Sequence, residues 1–115
     1  MPNQVKEFNV FREHMNDKIL GDKNKVIKRI FNLDTIAYKA GALDMKFKEL
    51  LGFVTSTVMR CDDCIKYHLE NCHKENLTKS EVIEALSKTT LVGGTIVIPY
   101  LHRSYEYWDA LETNN

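Results

Sequence analysis

The sequence predicts an all-α fold, a compact antiparallel helical domain of about six helices. Three observations carry this expectation. Glycine and proline number 5 and 2 in 115 residues, about half their usual share, and turn-rich β sandwiches need more of both. Apolar residues recur at three- and four-residue spacing along most of the chain. Residue types that cap helices stand where these periodic stretches begin. The length fits one domain over residues 1–115, large enough to take about two-thirds of its extended-chain surface out of water.

The first helix is expected over Val5 to Leu20, with Val5, Phe8, Phe11 or Arg12, Met15 and Ile19 on one side and Gly21 as its stop. The second runs from Asn24 to Lys39 through Val26, Ile27, Ile30, Phe31, Leu33, Ile36 and Ala37, and Gly41 stands where a C-terminal cap glycine would stand. Asp44 is an N-cap residue type and opens the third helix, which continues through Phe47, Leu50, Leu51, Val54, Val58 and Met59 to about Arg60. The string Phe53-Val54-Thr55-Ser56-Thr57-Val58 has strand-like composition, but the helical period extends over it on either side.

Cys61 to Lys74 forms the fourth helix, with Ile65, His68, Leu69 and Cys72 on one side. Thr78-Lys79-Ser80-Glu81 is a capping box that opens the fifth. Val82, Ile83, Leu86, Leu91 and Val92 are its expected buried face, and Gly93-Gly94 reads as a helix stop or a close backbone approach. From Thr95 to Leu111 the positions Val97, Leu101, Tyr105, Trp108 and Leu111 keep a helical period, so a sixth helix is expected whose first turn contains or precedes Pro99. Glu112 to Asn115 should fray.

Lys and Arg total 16, Asp and Glu total 16, and the net charge is zero. No window holds five like charges, which excludes nucleic acid and an anionic membrane as expected partners. The opening MPNQVKEF has no apolar core of a secretory signal. The uncharged stretch Thr89 to Leu101 is too short to span a bilayer. The expected compartment is the cytoplasm. An odd count of three cysteines argues against a structural disulfide framework. Cytosolic cysteine pairs are more often catalytic, redox-active or metal-bound.

The chemistry is concentrated in Cys61-Asp62-Asp63-Cys64-Ile65-Lys66-Tyr67-His68. A Cys-x-x-Cys brings two thiols within disulfide reach, and a helix start favours their ionised form. His68 follows Cys64 by four residues and shares its face, so its ring can take the thiol proton. Asp62 and Asp63 oppose this, because nearby negative charge raises a thiol pKa; Asp63 also fits a helix cap. Glu49 stands among apolar residues about three turns upstream, and on spacing alone it reads as a solvated helix charge.

Glu49, then eleven residues, then Cys61-x-x-Cys64-x-x-x-His68, resembles the signature of the AhpD-like alkylhydroperoxidase branch of the carboxymuconolactone decarboxylase family. The surroundings Asp44 to Leu50 and Glu81 to Gly94 are similar in kind, and the likeness runs from about Leu43 to Trp108. The resemblance implies an all-helical fold, a cytoplasmic enzyme, assembly into trimers or hexamers, and a thiol-dependent peroxidase or disulfide oxidoreductase activity. It implies a hydroperoxide or other small-molecule substrate, and a dithiol or protein reductant. It assigns Glu49 to orient and charge-balance His68, His68 to deprotonate Cys64, and Cys61 as the partner thiol, with no cofactor. Some peroxidase members carry a second histidine where this chain has Asp63.

Other readings attach to the same residues. Acid–base chemistry on a small lactone or keto acid would use His68 and Glu49 with the thiols incidental, and a non-catalytic oligomeric module would use neither. Cys61, Cys64, His68 and Cys72 form a superficial zinc pattern, but on one helix Cys61 and Cys72 stand roughly 16 Å apart at ~1.5 Å per residue, too far to share a metal; no metal site is expected. Cys72 reads as a small packing residue, and His14 and His73 as surface residues. His102 with Tyr100, Tyr105, Tyr107 and Trp108 reads as core or subunit interface, and Lys23-Asn24-Lys25 as a solvated face.

Overall fold

The computed structural model describes residues 3–113. These residues form six α-helices and one short 3₁₀ turn, in agreement with the all-α expectation. The chain divides into two units, one ending at Lys39 and the other beginning at Ala40.

The first unit pairs α1 (Gln4–Gly21) with α2 (Lys25–Ala37). Each starts at an asparagine. Asn3 Oδ1 accepts the Lys6 N–H at 3.0 Å, and Asn24 Oδ1 accepts the Val26 and Ile27 N–H groups at 3.1 Å, satisfying donors that have no partner inside the helix. The ends differ from the expected glycine stops. Gly21 is the last helical residue of α1, and the left-handed turn falls on Lys23 at φ 60°. The second helix ends at Ala37 with Tyr38 as its cap. Gly41 lies beyond it in a turn, donating to the Leu43 carbonyl at 2.9 Å, so it is not the cap. On α2, Val26, Ile30, Leu33 and Ile36 are each half exposed or more.

The second unit holds α3 (Met45–Val58), α4 (Asp62–Lys74), α5 (Lys79–Gly93), the 3₁₀ turn Thr95–Val97 and α6 (Ile98–Thr113). Asp44 caps α3 by accepting the Phe47 N–H at 2.8 Å. The strand-like string inside α3 is helical, and its hydroxyls bond back to the preceding turn: Ser56 to Gly52 O at 2.6 Å and Thr57 to Phe53 O at 2.8 Å. These bonds satisfy hydroxyls that the interior would otherwise leave unpaired. The third helix packs chiefly on α4 and also on α5, and α6 packs on α4. Phe53, Ile65, Leu69, Cys72 and Val97 are fully buried, and Leu86, Tyr107, Trp108 and Leu111 are nearly so. Each large side chain so buried stabilises the fold by about 1.5–3 kcal/mol.

The buried stripe of α5 is Val82, Leu86 and Thr89, at helical spacing. Leu91 falls on the opposite face and is 77% exposed; Val92 is 72% exposed and Ile83 also lies open, so these three are not core residues as expected. The Gly93-Gly94 pair fits both expectations, one at each residue. A Cβ there would stand 2.5 Å from Val97 Cγ2, and Gly94 turns the chain at φ 86°. Pro99 occupies the first turn of α6, where a missing N–H costs no helical bond. The sixth helix runs through Glu112 to Thr113 instead of fraying there, while Asn114 and Asn115 lie outside the described residues. His73 is also not a surface residue. Its side chain is 18% exposed, it meets Trp108 edge-on at 5.0 Å between ring centroids, and its Nε2 is 3.5 Å from Glu112 Oε2. His14 is exposed, as expected. Among the described residues no helix is long and apolar enough to cross a membrane.

The capping box is complete: Thr78 Oγ1 accepts the Glu81 N–H at 3.1 Å and Glu81 Oε1 accepts the Thr78 N–H at 2.8 Å. Thr78→Ala should cost about 1 kcal/mol, read as a lower urea midpoint with an unchanged slope. The Thr78 backbone N–H holds the Glu81 carboxyl below its ordinary 4.5. Its contribution is therefore complete above about pH 4.5 and is lost as pH falls through the lower folded value. Glu81→Gln should flatten that acid-side loss.

Candidate active site

The link between α3 and α4 sets the site. The third helix closes with Arg60 in the left-handed conformation at φ 61°. The Arg60 N–H donates to Thr57 O at 3.1 Å and the Cys61 N–H to Ser56 O at 3.0 Å, the reciprocal pair of a Schellman closure. The next helix therefore begins at once. Cys61 is its N-cap, and the sulfur accepts the Cys64 N–H at 3.3 Å. Asp62 and Asp63 lie in the first turn, so neither aspartate is the cap.

Cys61 and Cys64 are joined as a disulfide with Cα atoms 5.3 Å apart. Cys61 is half-buried and Cys64 is exposed. One turn further along α4, His68 points its Nδ1 at Glu49 Oε2 at 3.0 Å. The two side chains are only 12% and 6% exposed. Glu49 is thus no solvated charge. It shares the inner face of α3 with Phe53, Ser56 and Thr57. An ionised carboxylate only accepts hydrogen bonds, so this contact suits a ring with its proton on Nδ1; in the neutral ring Nε2 is then the acceptor nitrogen. Tyr67 meets the His68 ring edge-on, with centroids 5.1 Å apart.

All four sequence-predicted residues lie on two packed helices or, for Cys61, at the N-cap of the second. Glu49 and His68 are in direct contact, and so are Cys61 and Cys64; His68 stands one turn from Cys64 on the same face of α4. Cys72, one turn beyond His68, is fully buried and unbonded to sulfur. Burial first, then the negative charges of Glu49 and Glu75, push its thiol up to about 12. It remains a neutral packing residue and is no nucleophile at ordinary pH. The zinc pattern needs a bend between Cys64 and Cys72, and this segment is unbroken helix.

Sequence spacing missed the contact from α6. Arg103 Nη1 lies 3.6 Å from Asp62 Oδ2, which is also 3.5 Å from Lys66 Nζ. Lys66 was recognisable as an i,i+4 partner, whereas nothing in the local sequence ties Arg103 to Asp62. His102 is exposed. In the reduced protein, an aromatic disulfide reagent should modify two thiols quickly and the third, Cys72, only on unfolding. Three equal rates would contradict the assigned burial.

A family model for the carboxymuconolactone decarboxylase family matches residues 25–101. Two curated relatives are uncharacterised proteins: one from Cupriavidus necator is 28% identical over 65% of this chain, and one of the cox locus of Paracoccus denitrificans is 30% identical over 47%. The matched segments span 66% and 49% of those relatives' own length. A crystal structure of a Thermotoga maritima protein is similar at 46% identity and a TM-score of 0.91, covering 96% of this chain and 99% of that one. A second structure of that protein matches at 45% and 0.89, covering 93% and 91%, and describes it as a carboxymuconolactone decarboxylase family protein with a suggested part in antioxidative response. A family protein from Legionella pneumophila shares the fold at 23% identity and a TM-score of 0.86, covering 96% and 98%. The chain belongs to the carboxymuconolactone decarboxylase family.

Proposed function

We propose that this protein is an AhpD-like thiol oxidoreductase that reduces hydroperoxides through Cys61 and Cys64, with Glu49 and His68 as a proton relay. The observation that carries the reading is the paired cysteines at a helix start with a histidine one turn away, anchored by a buried carboxylate. The suggested antioxidative role of the Thermotoga maritima relative points the same way.

The cycle starts from the dithiol. His68 Nε2 takes the Cys64 proton, and Glu49 stabilises the imidazolium through Nδ1–H. The thiolate attacks the distal peroxide oxygen. The O–O bond breaks, Cys64 becomes a sulfenic acid, and the alkoxide leaves with a proton returned by His68. Cys61 then attacks the sulfenic sulfur, forming the disulfide and releasing water. An external dithiol restores both thiols by exchange and is itself oxidised. Cys64 is the attacking sulfur in this reading because it is the exposed one and lies beside His68.

The apolar side of α2, with Val26, Ile30, Leu33 and Ile36 open, supports a homo-oligomer, a trimer or hexamer, because monomers rarely expose a patch of that kind. The reading assigns the enzyme to the cytoplasm. Sedimentation should give a multiple of the 13.4 kDa chain mass.

Thiol counting during hydroperoxide addition tests the chemistry. Two thiols per chain should be lost and should return with excess dithiothreitol. Cys64→Ser should abolish peroxide consumption. His68→Gln should slow it by about 10²-fold or more, and Glu49→Gln by a smaller factor. No reversible thiol loss, together with an unaffected Cys64→Ser protein, would overturn the reading. Lactone or keto-acid turnover that survives replacement of both Cys61 and Cys64 would place the activity with the decarboxylases.

A further inference from the structure

The charges around the cysteine pair are unbalanced within α4. Asp62 and Asp63 both lie in its first turn, next to Cys61 and Cys64. Reduction of the disulfide yields thiols whose ionised forms these carboxylates disfavour. Asp62 is the more consequential of the two, because its side chain is only 32% exposed and water screens it less. Its Oδ1 is buried with no hydrogen-bond partner among the described residues. Its Oδ2 meets two cations: Lys66 of the same helix at 3.5 Å and Arg103 of α6 at 3.6 Å.

Arg103 differs from Lys66 in two respects. It reaches Asp62 from a neighbouring helix, and its guanidinium lies over the Tyr100 ring at 5.8 Å. A guanidinium keeps its charge at every working pH and holds a planar geometry. It can therefore offset the Asp62 carboxylate in both redox states.

We propose that Arg103 is a positioning residue that tunes the Cys61–Cys64 redox couple through Asp62, shifting the equilibrium toward the dithiol. The inference rests on the dithiol–disulfide cycle proposed above. The couple exchanges two electrons and two protons: the Cys61–Cys64 bond breaks as two protein thiols form, while dithiothreitol closes to its cyclic disulfide. Without Arg103 the Asp62 charge acts on the thiolate with Lys66 as its one remaining cation partner among the described residues. The reduced form then becomes less stable relative to the disulfide, and the potential becomes more negative.

Equilibrating the full-length protein with reduced and oxidised dithiothreitol at one fixed pH, near the ordinary thiol value of about 8.5, reads this directly. Arg103→Gln should shift the dithiol–disulfide constant by about two- to fivefold toward the disulfide, the range of a partly exposed ion pair. At ~30 mV per tenfold that is about 10–20 mV. Arg103→Lys should recover most of the shift. In an Asp62→Asn background, Arg103→Gln should have no further effect.

An unchanged constant in Arg103→Gln, even with lowered thermal stability, overturns the proposal and leaves Arg103 a structural residue. An undiminished shift in the Asp62→Asn background overturns the route through Asp62. A wild-type pair that never equilibrates with dithiothreitol overturns the proposed function itself, and this inference with it.

Discussion

The structure of the site depends on one interaction, the hydrogen bond between His68 Nδ1 and Glu49 Oε2 at 3.0 Å. Glu49 is 5% exposed among Phe53, Ser56 and Thr57. An isolated carboxylate in such a place would cost several kcal/mol, so it needs a partner. The partner comes from α4 and fixes how that helix lies along α3. The Schellman closure at Arg60 and Cys61 then leaves no slack between the helices. The position of the cysteine pair follows from the same constraint. Cys61 caps α4 with its sulfur, Cys64 is exposed, and His68 is held one turn from Cys64.

One stripe of α4 displays three consequences of burial. Cys64 is exposed and bonded to Cys61. His68 is mostly buried but paired. Cys72 is fully buried, and its thiol is pushed up to about 12 by desolvation and by Glu49 and Glu75. Glu49 acts on two residues of that stripe. It hydrogen-bonds His68 and disfavours ionisation of the cysteine one turn deeper. The stripe thus carries an exposed, disulfide-bonded cysteine at one end and a buried free one at the other. At the exposed end the balance is set by surface charge, where Asp62, Asp63, Lys66 and Arg103 meet.

The helix starts were legible because their chemistry is local. Asn24, Asp44 and the Thr78–Glu81 box are side chains that bond N–H groups two or three residues away. The stops were less so. Gly21 and Gly41 look like stops, yet the left-handed turns fall on Lys23, Arg60 and Asn76. For non-glycine residues that conformation costs about 1 kcal/mol or more, so tertiary packing decides it and no local signal announces it. The cysteine pairing was readable from its spacing. The cap was not, because aspartate is the common capping type and sulfur an unusual acceptor. Glu49 occupies an inner position of α3, but a carboxylate is assigned to water until its partner on another helix is known. The same holds for Arg103, and for Leu91, whose face depends on how α5 is rotated against α3.

The central claim of the proposed relay concerns a proton: Nδ1 of His68 carries it toward Glu49, and Nε2 of the neutral ring is the nitrogen proposed to accept the Cys64 proton. Nitrogen-15 NMR of the His68 ring in the reduced protein, above the histidine pKa, measures this directly. The account predicts one dominant tautomer, protonated at Nδ1, that gives way to a mixture in Glu49→Leu while Cys72 remains protected. A ring protonated at Nε2 in the wild-type protein would contradict it.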